Sequence, residues 1–222
     1  MPDFAKARET MVDRQIMTVD VTDARVLSAM RDVPREVFAP RGLQAIAYSD
    51  ADIPLKTAAG APRRALLNPP TLARLAQLAA IGPDDIVLDV ASGTGYGAAV
   101  LARLANFVVA LEADADLATA ATANLIELGI GNAAVVTGPF AEGYGAEAPY
   151  DVIFVEGSVE AVPDALTRQL KEGGRLVAVV GQGLSGSATI FTRSGDEVSG
   201  LPAFNAAAPQ LPGFAAPRSF AF

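Results

Sequence analysis

Hydrophobic and polar positions follow two different patterns along the chain. Before residue 82, apolar side chains recur at helical intervals, which predicts helices over residues 3–19, 24–33 and 71–81. Residues 35–70 contain five prolines and two glycines, and this composition predicts an irregular stretch. From residue 86 onward, short apolar runs of strand length alternate with helical segments.

The alternating region predicts an α/β fold. The expected strands are 86–90, 107–112, 133–138, 150–157 and 175–181, and the expected helices are 98–105, 115–129 and 161–170. Strands that are apolar almost throughout are typical of a parallel sheet covered on both faces. Residues 187–193 and 197–204, separated by a Ser-Gly-Asp turn, predict an antiparallel hairpin.

We therefore expect a Rossmann-like, doubly wound, mostly parallel sheet with helices on both faces. An N-terminal helical extension precedes it and a C-terminal antiparallel hairpin follows it. Residues 1–80 are expected to pack as a helical segment on a core formed by residues 81–222, so that the two parts make one globular unit.

Composition narrows the possible chemistry. The 222 residues include 17 Lys and Arg, 25 Asp and Glu, and no His, Cys or Trp, for a net charge of −8. The missing residue types exclude thiolate or imidazole zinc sites and nucleophiles activated by histidine, and we expect no metal. Any catalysis must use carboxylates, hydroxyls, backbone groups or a cofactor.

Charge and hydropathy bear on partners and location. Residues 1–79 carry 11 basic and 9 acidic side chains, whereas residues 80–222 carry 6 basic and 16 acidic ones. An acidic body argues against binding nucleic acid. No apolar run approaches the roughly 20 residues that span a bilayer, and the first ten residues lack the apolar stretch of a signal peptide. We expect a cytoplasmic protein with no membrane partner, and the oligomeric state stays open.

A glycine-rich turn at residues 87–99, VLDVASGTGYGAA, is the most informative motif. Residues 93–98 satisfy G-x-G-x-x-A, the dinucleotide fingerprint. Glu112 ends the next strand, 19 residues after Gly93, where an acid can accept hydrogen bonds from ribose hydroxyls. The carboxylate of Asp89, just before the turn, would repel a bound diphosphate but attract a ligand that carries an ammonium or a sulfonium group. This favours S-adenosyl-L-methionine over a nicotinamide dinucleotide; the remaining alternative is a turn that serves only strand–helix packing.

The turn and the rest of the chain resemble a known family. DVASGTGYGAAVLARL, with Glu112 at the end of the next strand, resembles the cofactor loop of class I S-adenosylmethionine-dependent methyltransferases. Residues 11–40, 47–55 and 150–181 are similar to segments of the protein-L-isoaspartate O-methyltransferase family. The resemblance covers roughly residues 5–185. It implies a repair enzyme that methylates an isoaspartyl or other carboxylate on a protein or peptide acceptor.

The resemblance also implies roles for individual residues. The methionine part of the cofactor would be held by the glycine-rich turn, namely Asp89, Ser92, Gly93, Thr94 and Gly95. Glu112 would bind the ribose, Phe140 would line the adenine, and Glu156 would face the methyl donor. The candidate substrate loop comprises Thr57, Arg63, Arg64, Leu67 and Asn68.

Two positions depart from the family pattern. The family loop reads G-Q-T-I-S-Q-P; aligned on Pro69, this chain has RRALLNP over residues 63–69. Leu67 therefore stands where the family has its active-site serine, and the catalytic residue is unknown. Pro139 stands where the family usually has an Asp that accepts a hydrogen bond from the adenine amino group, and the loss of that bond would weaken affinity about fivefold.

Alternative functions stay open at this point. A divergent paralogue could methylate another acceptor, with Arg63 and Arg64 clamping its carboxylate. The changes at Leu67 and Pro139 motivate a second alternative, a catalytically impaired protein that binds cofactor or a partner. A nicotinamide dehydrogenase is the third.

Overall fold

The computed structural model describes residues 3–57, 64–181 and 183–214, and most of its helices follow the predicted pattern. The described helices are α1 (Phe4–Met11), α2 (Ala24–Asp32), α3 (Arg35–Phe38), α4 (Pro69–Ala79), α5 (Tyr96–Ala102), α6 (Ala115–Glu127) and α7 (Asp164–Thr167). A π-helical turn and a 3₁₀ turn continue α1 as far as Val19. Helices α1, α2, α4 and α6 begin after Asp3, Asp23, Asn68 and Asp114, whose side chains accept hydrogen bonds from the first-turn amides.

The central sheet confirms the predicted fold class. Its strands are β3 (Ile86–Val90), β4 (Phe107–Glu112), β5 (Ala133–Thr137), β6 (Tyr150–Val159), β7 (Leu170–Val180), β8 (Ser187–Ser194) and β9 (Glu197–Asn205). Their order is β5-β4-β3-β6-β7-β8-β9. The first five strands in this order run parallel, and β8 and β9 add the antiparallel hairpin. The order of the strands reverses between β3 and β6, so a crevice opens beyond their carboxyl ends.

A short hairpin lies where the proline content predicts an irregular stretch. Strands β1 (Ile53–Leu55) and β2 (Arg64–Leu66) pair antiparallel, with Leu55 opposite Arg64. Ile53 and Leu66 are buried, so this hairpin is attached to the core by its own side chains. Three-residue strands give too little periodicity for prediction from sequence.

A second difference concerns the segment before β7. The sequence predicts a helix over residues 161–170, but α7 forms a single turn and β7 already begins at Leu170. Leu170 is fully buried and pairs with Tyr150 on β6. The sheet therefore takes residues that would otherwise complete the helix.

The N-terminal helices share one hydrophobic cluster with the sheet. Met11, Ile16 and Met30 belong to the same buried cluster as Leu101 on α5 and Val177 on β7. Among the described residues, no helix is long and apolar enough to cross a membrane. The shared cluster fixes the N-terminal segment, including its hairpin, against the carboxyl end of the sheet.

Candidate functional site

The glycine-rich turn is shaped by left-handed backbone conformations. After β3 the chain takes positive φ at Ala91 (71°), Gly93 (58°) and Gly95 (93°). The amides of Ala91 and Ser92 donate to the carbonyl of Leu111, and this holds the turn beside the end of β4. Because α5 begins directly after Gly95, the turn presents both its backbone and a helix start to the crevice.

Several hydrogen bonds hold the carboxylate of Glu112 in the site. Glu112 ends β4 fully buried. Its Oε2 accepts from the amide of Gly93 at 2.8 Å, and its Oε1 accepts from the amides of Ala113 and Asp114 at 2.9 and 3.0 Å. Three backbone donors thus hold the carboxylate in one orientation at the crevice.

Arg64 reaches into the same crevice from β2. Its Nη1 donates to Oε1 of Glu112 at 2.8 Å and its Nη2 donates to Oε2 at 3.0 Å, which makes a bidentate ion pair. The Nη2 also donates to the carbonyl of Ala91 at 2.8 Å, and the guanidinium lies 4.8 Å from the ring centroid of Phe140. The Arg64 side chain is only 5% exposed.

Asp89 and Glu156 form a second acidic group, in which the two buried carboxyls share a hydrogen bond. Apart from that contact, both carboxyl oxygens of Asp89, Oε1 of Glu156 and the hydroxyl of Ser92 are buried without a hydrogen-bond partner within the described part of the chain. Burial raises the pKa of Asp89 to about 7. Burial, together with the charge of Asp89, also raises the pKa of Glu156 well above its ordinary value. Buried acceptors with no donor are expensive, so this group indicates a place for a cationic or donor-bearing ligand.

A cavity of about 140 Å³ lies over Glu112. Thr57, Arg64, Glu112 and Phe140, all candidates from the sequence, line it together with Ala113, Asp114 and Pro212. Pro212 gave no local signal in the sequence, because the chain brings it back to the site from the far side of the sheet. Asp114 could have been noticed, since it follows Glu112 at the end of a strand.

The other candidate residues are placed differently. Thr94 is buried and donates its hydroxyl to the carbonyl of Phe38, so it ties the turn to α3. Leu67 is 2% exposed and packs in the core, and Asn68 caps α4. Neither lines the cavity. Arg63 lies outside the described residues.

Arg35 is a buried residue of this region that the sequence did not single out. Its Nε donates to the carbonyl of Ala47 at 2.7 Å and its Nη2 to the carbonyl of Leu67 at 2.9 Å. Its guanidinium also lies 4.6 Å from the ring centroid of Tyr96. Arg35 therefore joins α3 to both arms of the chain that carry the hairpin. Its only signal in the sequence is its place at the start of a short amphipathic turn after Pro34.

Comparisons with known proteins agree with this architecture. The family model described as Protein-L-isoaspartate(D-aspartate) O-methyltransferase matches residues 6–203. A protein-L-isoaspartate O-methyltransferase of Rhodopseudomonas palustris is 43% identical over 171 residues, which cover 77% of this chain and 76% of the relative. One of Koribacter versatilis is 41% identical over 178 residues, covering 80% of this chain and 78% of the relative.

Solved structures show the same fold. A protein-L-isoaspartate O-methyltransferase superposes with a TM-score of 0.82 at 28% identity, over 93% of this chain and 66% of that chain. A protein from Plasmodium falciparum, described as a complex with S-adenosyl-L-homocysteine, gives a TM-score of 0.74 at 20% identity, over 95% of this chain and 99% of that chain. This chain thus spans just under two thirds of the first of these structures.

Three features define this protein as an α/β methyltransferase. They are the parallel sheet, the glycine-rich turn after β3 and the acid Glu112 at the end of β4. The chain belongs to the protein-L-isoaspartate O-methyltransferase family. Both the fold class and the family resemblance predicted from the sequence are confirmed.

Proposed function

We propose that this protein binds S-adenosyl-L-methionine in the crevice beyond β3, β4 and β6 and methylates a carboxylate on a protein acceptor. The acceptor group we propose is the isoaspartyl side chain of a damaged protein. Residues 81–222 would hold the cofactor, while residues 1–80 would supply the loop that meets the acceptor. The family membership over residues 6–203 supports this assignment.

The observation that carries the proposal is the unpartnered acidic group. Apart from the contact between the two carboxyls, Asp89, Glu156 and Ser92 offer buried oxygen atoms that lack hydrogen-bond partners among the described residues. The cofactor carries an α-ammonium group, whose three N–H donors would satisfy such acceptors, and its sulfonium would be favoured by the same negative potential. Once the guanidinium of Arg64 has moved away, Glu112 would accept from the ribose hydroxyls and Phe140 would face the adenine. The residues present therefore fit this cofactor.

The proposed chemistry needs little from the side chains. S-adenosyl-L-methionine supplies an electrophilic methyl group on a sulfonium. An acceptor carboxylate is already ionised near neutral pH, so no general base has to remove a proton, and the absence of histidine is no obstacle. The contribution of the chain would be to orient the two reactants and to exclude water from the crevice.

One observation favours a second candidate, a family member with a different carboxylate acceptor. Leu67, which aligns with the family serine, is buried in the core and offers no hydroxyl. The cavity instead contains the guanidinium of Arg64. An arginine recognises any carboxylate, so the acceptor could differ from the isoaspartyl group while the reaction stays the same.

An assay of methyl ester formation tests the proposal. The protein is incubated with methyl-labelled S-adenosyl-L-methionine and an isoaspartyl peptide, and the control is the same peptide with an ordinary aspartyl residue. We expect base-labile label in the isoaspartyl peptide alone. No label in either peptide, with S-adenosyl-L-homocysteine binding measured by calorimetry, would reject the isoaspartyl acceptor and favour the second candidate.

A further inference from the structure

Arg64 takes the place in the crevice where the proposed function puts a nucleoside. Its two terminal nitrogens pair with the two oxygens of Glu112, which are the same two acceptors that a ribose diol would use. Its guanidinium also lies over the ring of Phe140, which is proposed to face the adenine. The arginine and the nucleoside therefore compete for one carboxylate and one aromatic face.

The hairpin that carries Arg64 also covers the glycine-rich turn. Leu55 stands opposite Arg64 in the β1–β2 pairing and is 7% exposed. A Cβ atom built on Gly93 would lie 2.8 Å from Cδ1 of Leu55, so this side chain occupies the space that the missing Cβ leaves. The end of the hairpin thus contacts the crevice at two separate points.

The size of the cavity is consistent with this competition. With Arg64 in place it measures about 140 Å³. Pockets for small ligands usually measure roughly 300–1,000 Å³. The space that remains beside the guanidinium is thus smaller than a usual ligand pocket.

If the buried guanidinium of Arg64 moves away from Glu112, its charge must be balanced by another anion. Separating a buried ion pair without a replacement partner is costly, because an unpaired charge then stays in a poorly solvated place. Among the described residues lining the cavity, Arg64 is the only basic one. The methyl acceptor proposed above is itself a carboxylate, and it must approach this crevice to react.

We propose that Arg64 gates the nucleoside pocket by exchanging carboxylates. In the closed arrangement Arg64 pairs with Glu112, and in the open arrangement it pairs with the carboxylate of the acceptor and frees Glu112 for the ribose hydroxyls. Binding of acceptor and cofactor is then positively coupled, since each favours the open arrangement. This inference rests on the proposed function, because it needs a nucleoside cofactor and an anionic acceptor.

Calorimetry with S-adenosyl-L-homocysteine tests the gate without any turnover. Replacing the arginine, as Arg64→Ala, removes the competitor, so we expect the dissociation constant to fall about tenfold because the closed state no longer competes. The free variant should melt at a lower temperature than the wild type, because Glu112 loses its partner, and the ligand should raise that melting temperature by more than in the wild type. Arg64→Gln keeps a donor without the charge and should give intermediate values, which covers the case in which the alanine variant folds poorly.

A matched control is an arginine that lies away from the cavity. Arg74 on α4 also stacks on a phenylalanine, with its guanidinium 3.6 Å from the ring centroid of Phe204, and it does not line the cavity. Arg74→Ala should leave the dissociation constant of S-adenosyl-L-homocysteine unchanged. An equal effect of both substitutions would assign the change to general loosening and overturn the gate.

Coupling is measured by repeating the titrations with a saturating isoaspartyl peptide. In the wild type we expect the peptide to tighten S-adenosyl-L-homocysteine binding about fivefold or more, and in Arg64→Ala to have no effect. Equal coupling in both proteins, or none in the wild type, would overturn the carboxylate exchange. Equal S-adenosyl-L-homocysteine affinity of wild type and Arg64→Ala would overturn the gate but leave the proposed cofactor standing. No binding to either protein would overturn both proposals.

Discussion

Asp89 and Glu156 illustrate how a proposed binding residue can lower the stability of the fold that carries it. Both are buried, and within the described chain three of their four carboxyl oxygens have no hydrogen-bond partner other than the neighbouring carboxyl. Burial makes their ionised forms unfavourable, which is why both pKa values are raised. The free protein therefore tends to keep protons here that a cationic ligand would displace.

The raised pKa of Asp89 predicts a pH dependence of stability. The pKa rises from 3.8 in the unfolded chain to about 7 in the fold. Between these values the folded protein binds a proton that the unfolded chain has lost, so the free energy of unfolding falls as pH rises through this window. Asp89→Asn removes this contribution, and we expect its stability to change less than that of the wild type between about pH 5 and about pH 7.5. Urea unfolding at the two pH values measures the difference.

Asp151→Asn serves as a control, because the pKa of Asp151 is shifted in the opposite direction from that of Asp89. Partial burial opposes ionisation of Asp151, but hydrogen bonds from the amide of Ile86 and from Lys171 outweigh it, and its pKa is lowered. Its contribution is fully present above the ordinary value of 3.8 and is lost only as pH falls below it. The substitution should therefore destabilise the protein equally at both test values. If the free energy of unfolding of Asp89→Asn fell with pH as steeply as that of the wild type, Asp89 would not be the source of the pH dependence.

At the scale of elements, the start of α5 depends on a backbone that only glycine adopts easily. Gly95 has φ of +93°, and a Cβ atom there would lie 3.2 Å from Cβ and 3.3 Å from Cα of Ala121 on α6. The glycine thus meets two requirements at once, a left-handed conformation and a close approach of two helices.

Substitution of Gly95 by alanine should therefore cost more than the conformation alone. We expect Gly95→Ala to lower the free energy of unfolding by about 2–3 kcal/mol, since strain and overpacking add. Gly129 after α6 also has positive φ, at +65°, but nothing lies within 4 Å of its Cβ position. Gly129→Ala should cost only about 1 kcal/mol. Chemical denaturation of both variants measures the difference, and equal losses would show that contact with Ala121 does not matter.

At the scale of the whole molecule, one buried cluster extends from α1 to the last strands. It includes Met11 and Met30 near the N-terminus and Val179 and Ala188 on β7 and β8. The proposed division into residues 1–80 and 81–222 is therefore a division of function within a shared core. Residues 81–222 also contain a second buried cluster of their own, which includes Leu88, Val109 and Leu176.

The shared core predicts a single unfolding transition. Urea titrations followed by far-ultraviolet circular dichroism and by tyrosine fluorescence should give the same midpoint, because Tyr48 and Tyr150 report on the two parts of one cooperative unit. Two separated midpoints would indicate that residues 1–80 unfold independently. The matched control is the same pair of titrations with S-adenosyl-L-homocysteine present, where both midpoints should rise together.

Local patterns in the sequence were sufficient to predict the parallel strands and most of the helices. The β3, β4 and β7 segments are short apolar runs bounded by Gly, Asp or Asn, and such runs have few alternatives to a buried strand. The β1–β2 hairpin was not predicted, because its pairing depends on Ile53 and Leu66 meeting the core rather than on periodicity. The end of the predicted helix before β7 was wrong for a similar reason, since pairing with β6 takes Leu170.

By itself, the sequence determined the fold class, the family and the acids of the crevice. These depend on local apolar periodicity and on a motif of fixed spacing, both of which can be recognised without the structure. Only the tertiary structure decided the partners of those acids. It placed the Arg64 side chain on Glu112, which lies 48 positions further along the chain. It also placed Leu67 in the core and brought the carboxyls of Asp89 and Glu156 together in a buried pair. Such contacts join segments that are far apart in the chain. Which segments come into contact is determined by the packing of the whole core.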